Sequence, residues 1–329
     1  MIQNLFIFSF KVKQFIIKIS IFSVTILLSL TVLDNFYTKY VFSHKNLCEK
    51  SDWILNHHDE NFDFAFIGNS RVLHMIDINV IEKKTRRKGI NLGLRGANFS
   101  ENYLVLDQFL KSRNKIKNLI VEVNMHNLNA DKQLEYPFHD YNYIHLLNDS
   151  ITREVFYDNE PNYKMFLWKY LPFVRYMEFS NHFSLYKILK GGFECKTSDD
   201  FDASKGSKIF NEKVFKTEKQ NYVYWTINEN DKNYLNKIID LAMNKNINLI
   251  FYTGPIYYKY LPFQLNYTKM IGEIKNNLRN KNISFFDFSN PQNNLCRDTA
   301  DFSDNFHMNI SGVAKLSLVV ADSILQLLK

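Results

Sequence analysis

Two short stretches of the chain carry side chains able to move an acyl group. In Ile67-Gly68-Asn69-Ser70-Arg71 a serine follows an apolar run across a glycine that permits a tight turn. A strand-to-helix turn there leaves the Ser70 hydroxyl at the strand's carboxyl end, near the positive end of the next helix. It serves in that place either as a nucleophile or as a plain helix cap. Near the C-terminus, Asp304-Asn305-Phe306-His307 sets a carboxylate three residues before an imidazole. That spacing lets the carboxylate hold the ring's Nδ1–H while Nε2 faces a nucleophile, the division of labour of a Ser-His-Asp triad. Two such residues in a polar loop also cap helices.

The elements that must position these residues alternate. Apolar runs at Asp63–Ile67, Gly89–Gly93, Asn118–Val123, Ile247–Tyr252 and Asn282–Phe286 read as strands. Helical stripes stand between and after them: Phe99, Tyr103, Leu106 and Leu110; Tyr234, Leu235, Ile238 and Ala242; Ile271, Ile274 and Leu278; and a last one through Val313, Leu316, Val320, Ile324 and Leu327. Such alternation predicts right-handed βαβ units and a parallel sheet covered on both faces, with ligands beyond the carboxyl ends of its strands. Between Met125 and about Gln220 the alternation stops and aromatics crowd in, among them Tyr143, Phe166, Trp168, Tyr170, Phe173 and Tyr176. This reads as an insertion, at about 126–220, whose aromatic stripes pack against the sheet. The alternatives are a cover over the site, a sugar-stacking platform or a surface near the membrane.

The N-terminus has a different character. From Phe15 to Leu33 the only charge is Lys18, close to the ~20 apolar residues that span a bilayer as a helix. Lys11, Lys13 and Lys18 stand on its N-terminal side, which by the positive-inside rule places the N-terminus in the cytoplasm and everything after Asp34 outside. No small-residue cleavage site follows Leu33, so an uncleaved anchor is expected. The chain then divides into a cytoplasmic stub and transmembrane anchor at 1–40 and one domain at 41–329.

Composition removes several classes of function. The net charge of +7 is spread along the chain, which argues against a nucleic-acid partner. Cys48, Cys195 and Cys296 form no CxxC, and the histidines lack metal-ligand spacing, so no metal is expected and disulfide pairing stays open. No glycine-rich phosphate loop occurs, and no cofactor is expected.

In order, Gly68-Asn69-Ser70 after strand one, Asn91-Leu92-Gly93-Leu94-Arg95-Gly96 after strand two, Asn124 after strand three and Asp304-x-x-His307 before the last helix resemble the blocks of the SGNH (GDSL-like) hydrolase superfamily. The resemblance runs from Asp63 to the C-terminus apart from the insertion. It implies a flavodoxin-like three-layer α/β fold with a five-stranded parallel sheet in the order 2-1-3-4-5. It implies Ser70 as nucleophile, Asp304 and His307 as its partners, and Gly96 and Asn124 as oxyanion-hole donors. Asn69 stands where the family has aspartate, and block three reads Glu122-Val123-Asn124-Met125 instead of Gly-x-Asn-Asp. Asn127 and Asn129 are close enough to compete with Asn124, Gly93 is the alternative to Gly96, and Glu122 is either solvent-facing or salt-bridged.

An anchor ahead of such a domain is similar to the DltD-type teichoic acid D-alanylation proteins and the alginate O-acetylation proteins. That likeness implies acyl transfer onto a surface glycan or polyol, in company with a polytopic membrane O-acyltransferase. An extracytoplasmic carbohydrate esterase or deacetylase and an inactive glycan-binding scaffold are the alternatives.

Overall fold

The computed structural model describes residues 2–41, 50–128, 138–178, 201–211, 215 and 221–328. By its contacts the chain divides into two compact units, Leu47–His139 with Lys196–Lys329, and Met1–Asn46 with Asp140–Cys195. In chain order the helices are α1 Ile2–Phe36, α2 Lys50–Leu55, α3 Ser70–Met75, α4 Ile78–Thr85, α5 Phe99–Lys111, α6 Ser150–Asn159, α7 Asn162–Tyr170, α8 Val174–Glu178, α9 Glu229–Asn244, α10 Tyr267–Asn280 and α11 Ile310–Leu325.

In the first unit the apolar runs become strands β1 Asn61–Ile67, β2 Gly89–Asn91, β3 Lys115–Glu122, β4 Asn248–Thr253 and β5 Ser284–Asp287. All neighbours are parallel, in the expected order β2-β1-β3-β4-β5. The last residues of β1, Phe64 to Ile67, and of β3, Leu119 to Glu122, are buried without alternation, as strands covered on both faces must be. On one face Phe64, Phe66, Ile120 and Ile250 pack with Ile78 and Ile81 of α4 and Leu316 and Val320 of α11. On the other, α5 and α9 pack together, with the Phe109 ring 5.9 Å from Phe62 and Tyr103 5.7 Å from Tyr234.

The last helix fixes the loop before it. Asn309 caps α11, its Oδ1 accepting from the N–H groups of Ser311 and Gly312. Buried Asp301 accepts from Lys315 Nζ at 2.6 Å and from Ser311 Oγ at 2.9 Å. The backbones touch at Gly312, where an added Cβ would lie 2.1 Å from the Asp301 carbonyl oxygen. Residues 301–309 are therefore pinned to the first turn of α11.

The second unit begins with α1. Its stretch Lys11–Lys39 is long and apolar enough to cross a membrane, and its most apolar 18-residue window, with mean hydropathy 2.3, is not buried within the protein. Past Asp34 the helix continues as a π-helical turn, Tyr37–Val41, and here the insertion takes hold of it. Arg175 of α8 donates to both Asp34 oxygens, Nε at 3.0 Å and Nη2 at 2.5 Å, while Thr38 Oγ1 lies 2.7 Å from Tyr176 Oη. Tyr37 packs on Phe173 and Tyr176, and Phe156 on Trp168. Among the aromatics of the expected insertion, Phe156, Trp168, Phe173 and Tyr176 pack within this unit, whereas Phe201 and Phe210 belong to the first unit and pack on Trp53 and His74. The bulky rings of the second unit need an apolar partner, and the end of α1 supplies one. Cys296 is a buried free thiol; Cys48, Cys195 and Asn129 lie outside the described residues.

Gly312→Ala should shift the loop or the helix, because the atom it meets is backbone. The expected loss is about 1–3 kcal/mol, read as a lower urea midpoint at constant m-value. An unchanged midpoint would show that the loop is not pinned there.

Candidate active site

Ser70 sits at the carboxyl end of β1, on a turn that only glycine fits. A Cβ on Gly68 would lie 2.5 Å from Val72 Cγ2 and 3.1 Å from Glu122 Cβ. Asn69 caps α3, its Oδ1 accepting from the Arg71 N–H at 3.0 Å, so Ser70 opens the helix and is not its cap. Ser70 Oγ lies 2.9 Å from His307 Nε2, and His307 Nδ1 lies 2.9 Å from Asp304 Oδ2. The three residues that the sequence put forward as catalytic are in one hydrogen-bonded chain. Asp304 Oδ1 also accepts from the N–H groups of Phe306 and His307, both at 2.7 Å. Burial alone would raise the Asp304 carboxyl, but the bond to His307 and these backbone donors outweigh it and hold it below its ordinary value. Ser70 is 7% exposed and the His307 side chain 21%, so the reacting atoms are sheltered and still reachable.

The other two expected residues lie in loops tied to the same turn. Leu94 N–H donates to Gly68 O at 3.1 Å, joining the loop after β2 to the loop after β1. Gly96 takes φ +66°, a turn conformation that glycine adopts without strain, and its N–H has no partner among the described residues. Gly93, the alternative, donates its N–H to Asn91 Oδ1 at 2.9 Å, and a Cβ there would lie 2.6 Å from Leu73 N; its task is close packing under α3. Asn124 follows β3, 1% exposed. Its Oδ1 accepts from Asn127 N at 3.3 Å, and its Nδ2 donates to Glu122 Oε2 at 2.5 Å. A carboxylate only accepts, which fixes the amide's orientation and leaves its second N–H without a partner among the described residues. Asn127 is spent on structure, accepting from Asn69 Nδ2 at 2.9 Å and donating to Ala97 O at 3.2 Å.

Sequence reasoning left a salt-bridged Glu122 as one alternative but did not find its partner. Glu122, fully buried, is salt-bridged: Arg71 Nε meets its Oε1 at 3.0 Å, and Arg71 Nη2 donates to Pro255 O at 3.1 Å. Burial pushes the Glu122 carboxyl upward, countered by Arg71, Asn124 and a backbone N–H. A carboxylate inside an apolar run was the available signal, but its partner lies 51 residues away in sequence.

Two further imidazoles flank the site. His74 stacks on Phe210 with centroids 4.1 Å apart and meets the His307 ring edge-on at 5.9 Å. His126 meets Phe306 and Trp225 edge-on at 4.8 and 4.9 Å. Burial pushes both rings down to about 3, so both are neutral near pH 7 and add no positive charge beside His307. A broad cleft of about 1150 Å³, lined by Asn61, Lys88, Lys115 and Ile247, lies at the amino ends of the strands, the edge opposite Ser70.

No family model matches the chain, and no curated protein matches its sequence. A solved structure of an acylhydrolase candidate from Bacteroides fragilis is similar in outline, 11% identical with a TM-score of 0.36, over 86% of this chain and 98% of that one. A likeness that distant carries no argument about chemistry, which rests on the geometry above.

Asn69→Asp is expected to destabilise the protein. Asn69 Nδ2 faces the carbonyl oxygens of Asn127 and Asn124 at 2.9 and 3.5 Å, and a carboxylate has no N–H to give them. The lost donor and the repulsion cost about 1–3 kcal/mol, against about 0.3–1 from a negative charge at the helix start. A raised melting temperature would overturn this account. Acid stability tests Asp304. A group whose folded pKa is lowered contributes stability that is complete above its unfolded value, about 3.9, and fades as pH falls through the folded one. The stability gap between wild type and Asp304→Asn should therefore narrow on acidification below about pH 4; a gap constant through that range would contradict the assignment.

Proposed function

We propose that the chain is a membrane-anchored, extracytoplasmic serine acyltransferase of the SGNH type, passing an acyl group through Ser70 to a hydroxyl of a surface polysaccharide or polyol polymer. The observation that carries the reading is the continuous chain from Ser70 Oγ through His307 to Asp304. Ser70 Oγ attacks the acyl carbonyl carbon as His307 Nε2 takes its proton. The negative charge that develops on the carbonyl oxygen meets the unpartnered N–H groups of Gly96 and Asn124, each such donor being worth roughly 3 kcal/mol. Collapse breaks the bond to the donor's leaving group, which takes the proton from His307 and leaves an ester on Ser70. An acceptor hydroxyl then enters, gives its proton to His307 and attacks the ester; the acyl–Oγ bond breaks and His307 returns the proton to Ser70 Oγ. Asp304 keeps Nδ1–H in place and stabilises the imidazolium without exchanging protons with substrate. No step calls for a cofactor.

The transfer reading draws on α1, which is apolar enough to hold the domain beside an immobile polymer, with a polytopic membrane O-acyltransferase as the proposed source of acyl groups. An esterase reading uses the same acyl-enzyme with water as acceptor. It is favoured by the partial exposure of His307, which lets water reach the ester.

Ser70→Ala should abolish acyl transfer and labelling by a fluorophosphonate probe while keeping the fold, and His307→Ala should do nearly the same. Asp304→Asn should retain more activity than either. Asn124→Ala should lower the rate by ~10²–10³. Mass or NMR analysis of the polymer after gene deletion decides the acceptor: lost acylation supports transfer, whereas acyl release from polymer by purified protein supports the esterase. Full activity in folded Ser70→Ala would overturn both.

A further inference from the structure

The second unit holds a groove of about 280 Å³ that the acyl chemistry does not use. It is lined by Thr31 and Asp34 of α1, Arg153 and Tyr157 of α6, and Lys169 and Tyr170 of α7. Its depth in a bilayer follows from α1. Between Lys13 and Asp34 stand twenty residues with one charge, Lys18; at 1.5 Å per residue such a helix covers the hydrocarbon thickness of about 30 Å. Asp34 is therefore at headgroup level, and Arg175 holds α8 to it with two hydrogen bonds, so the groove lies at that level too.

The side chains around it suit that depth. Tyr163, Phe166 and Tyr170 recur along one face of α7 and are 65%, 61% and 59% exposed, a concentration of rings typical of the water–membrane interface. The charges in the groove are unbalanced. Arg175 neutralises Asp34, whereas Arg153 and Lys169 have no anionic partner among the described residues, Lys169 resting only on the Tyr170 ring at 5.1 Å. Two uncompensated cations beside tyrosines at headgroup depth match a phosphodiester.

We propose that this groove binds the phosphate of an anionic phospholipid in the leaflet facing the domain, with Arg153 and Lys169 as its ligands. The lipid would fix the rotation of α1 and seat the aromatic face of α7 in the interface. The inference rests on the reading of α1 as a membrane span and is independent of the acyl-transfer reading.

The test uses the full chain purified in detergent, with native mass spectrometry following retention of phosphatidylglycerol and, separately, of inorganic phosphate. Wild type should retain the lipid, and Arg153→Gln with Lys169→Gln should weaken retention at least tenfold while the melting temperature and fluorophosphonate labelling stay unchanged. Each single variant should give an intermediate loss, which covers the case of a double variant that fails to fold. Equal retention by wild type and folded variants would overturn the proposal, as would binding of inorganic phosphate as tightly as the lipid. Alkaline carbonate extraction separates the two levels. A chain released from membranes would overturn the span and the groove together, whereas a chain that stays with lipid retention unaffected by the variants would sink the groove alone.

Discussion

An ion pair with both partners removed from water lies directly under the reactive turn, and the site hangs on it. Arg71 follows Ser70 in sequence, Glu122 ends β3, and the Arg71 guanidinium continues to the Pro255 carbonyl after β4. Three loops of the sheet's carboxyl edge are thereby held at one point. Desolvating two charges consumes most of what their attraction returns, so such a pair adds little net stability. Removing one partner, however, strands the other and costs about 3–5 kcal/mol. The pair therefore acts as a lock on geometry: Glu122 also holds the Asn124 amide, so the charge under the nucleophile sets the aim of a proposed oxyanion donor.

Around that lock the chemistry is almost entirely neutral. Asn69, Asn124 and Asn127 exchange hydrogen bonds where carboxylates would repel one another. His74 and His126 are kept uncharged by burial. In the proposed reaction the charge developing on the substrate oxygen would meet fixed dipoles, while the charge on His307 would be answered by the Asp304 carboxylate. Preorganised dipoles of this kind need no rearrangement as charge develops.

Much of this was legible in the sequence because it is local. The glycine turn before Ser70 and the three-residue step from Asp304 to His307 are short-range patterns, and alternation of strands and helices implies a parallel sheet whose carboxyl edge must gather them. What escaped is long-range. Nothing in the run from Asn118 to Val123 says which cation answers Glu122. Nothing in the aromatic insertion says that its rings pack around Tyr37, because Asp34 and Arg175 are 141 residues apart. The beginning of β3 was expected at Asn118 and lies at Lys115 for a simpler reason: Lys115 and Lys117 alternate with buried Ile116 there, and these charges masked a strand that is half exposed until it enters the core.

The separation of Ser70 from His307, 237 residues, has a consequence for biogenesis. Chains emerge from their N-terminal side first, so the serine is made long before its base. The loop that delivers His307 is seated only when Gly312 closes against Asp301 and Lys315 reaches its carboxylate. Until α11 has been synthesised and docked, Ser70 remains an ordinary alcohol. On the proposed extracytoplasmic reading, the nascent polypeptide would cross the membrane chemically silent and acquire its reactivity as one of the last events of maturation.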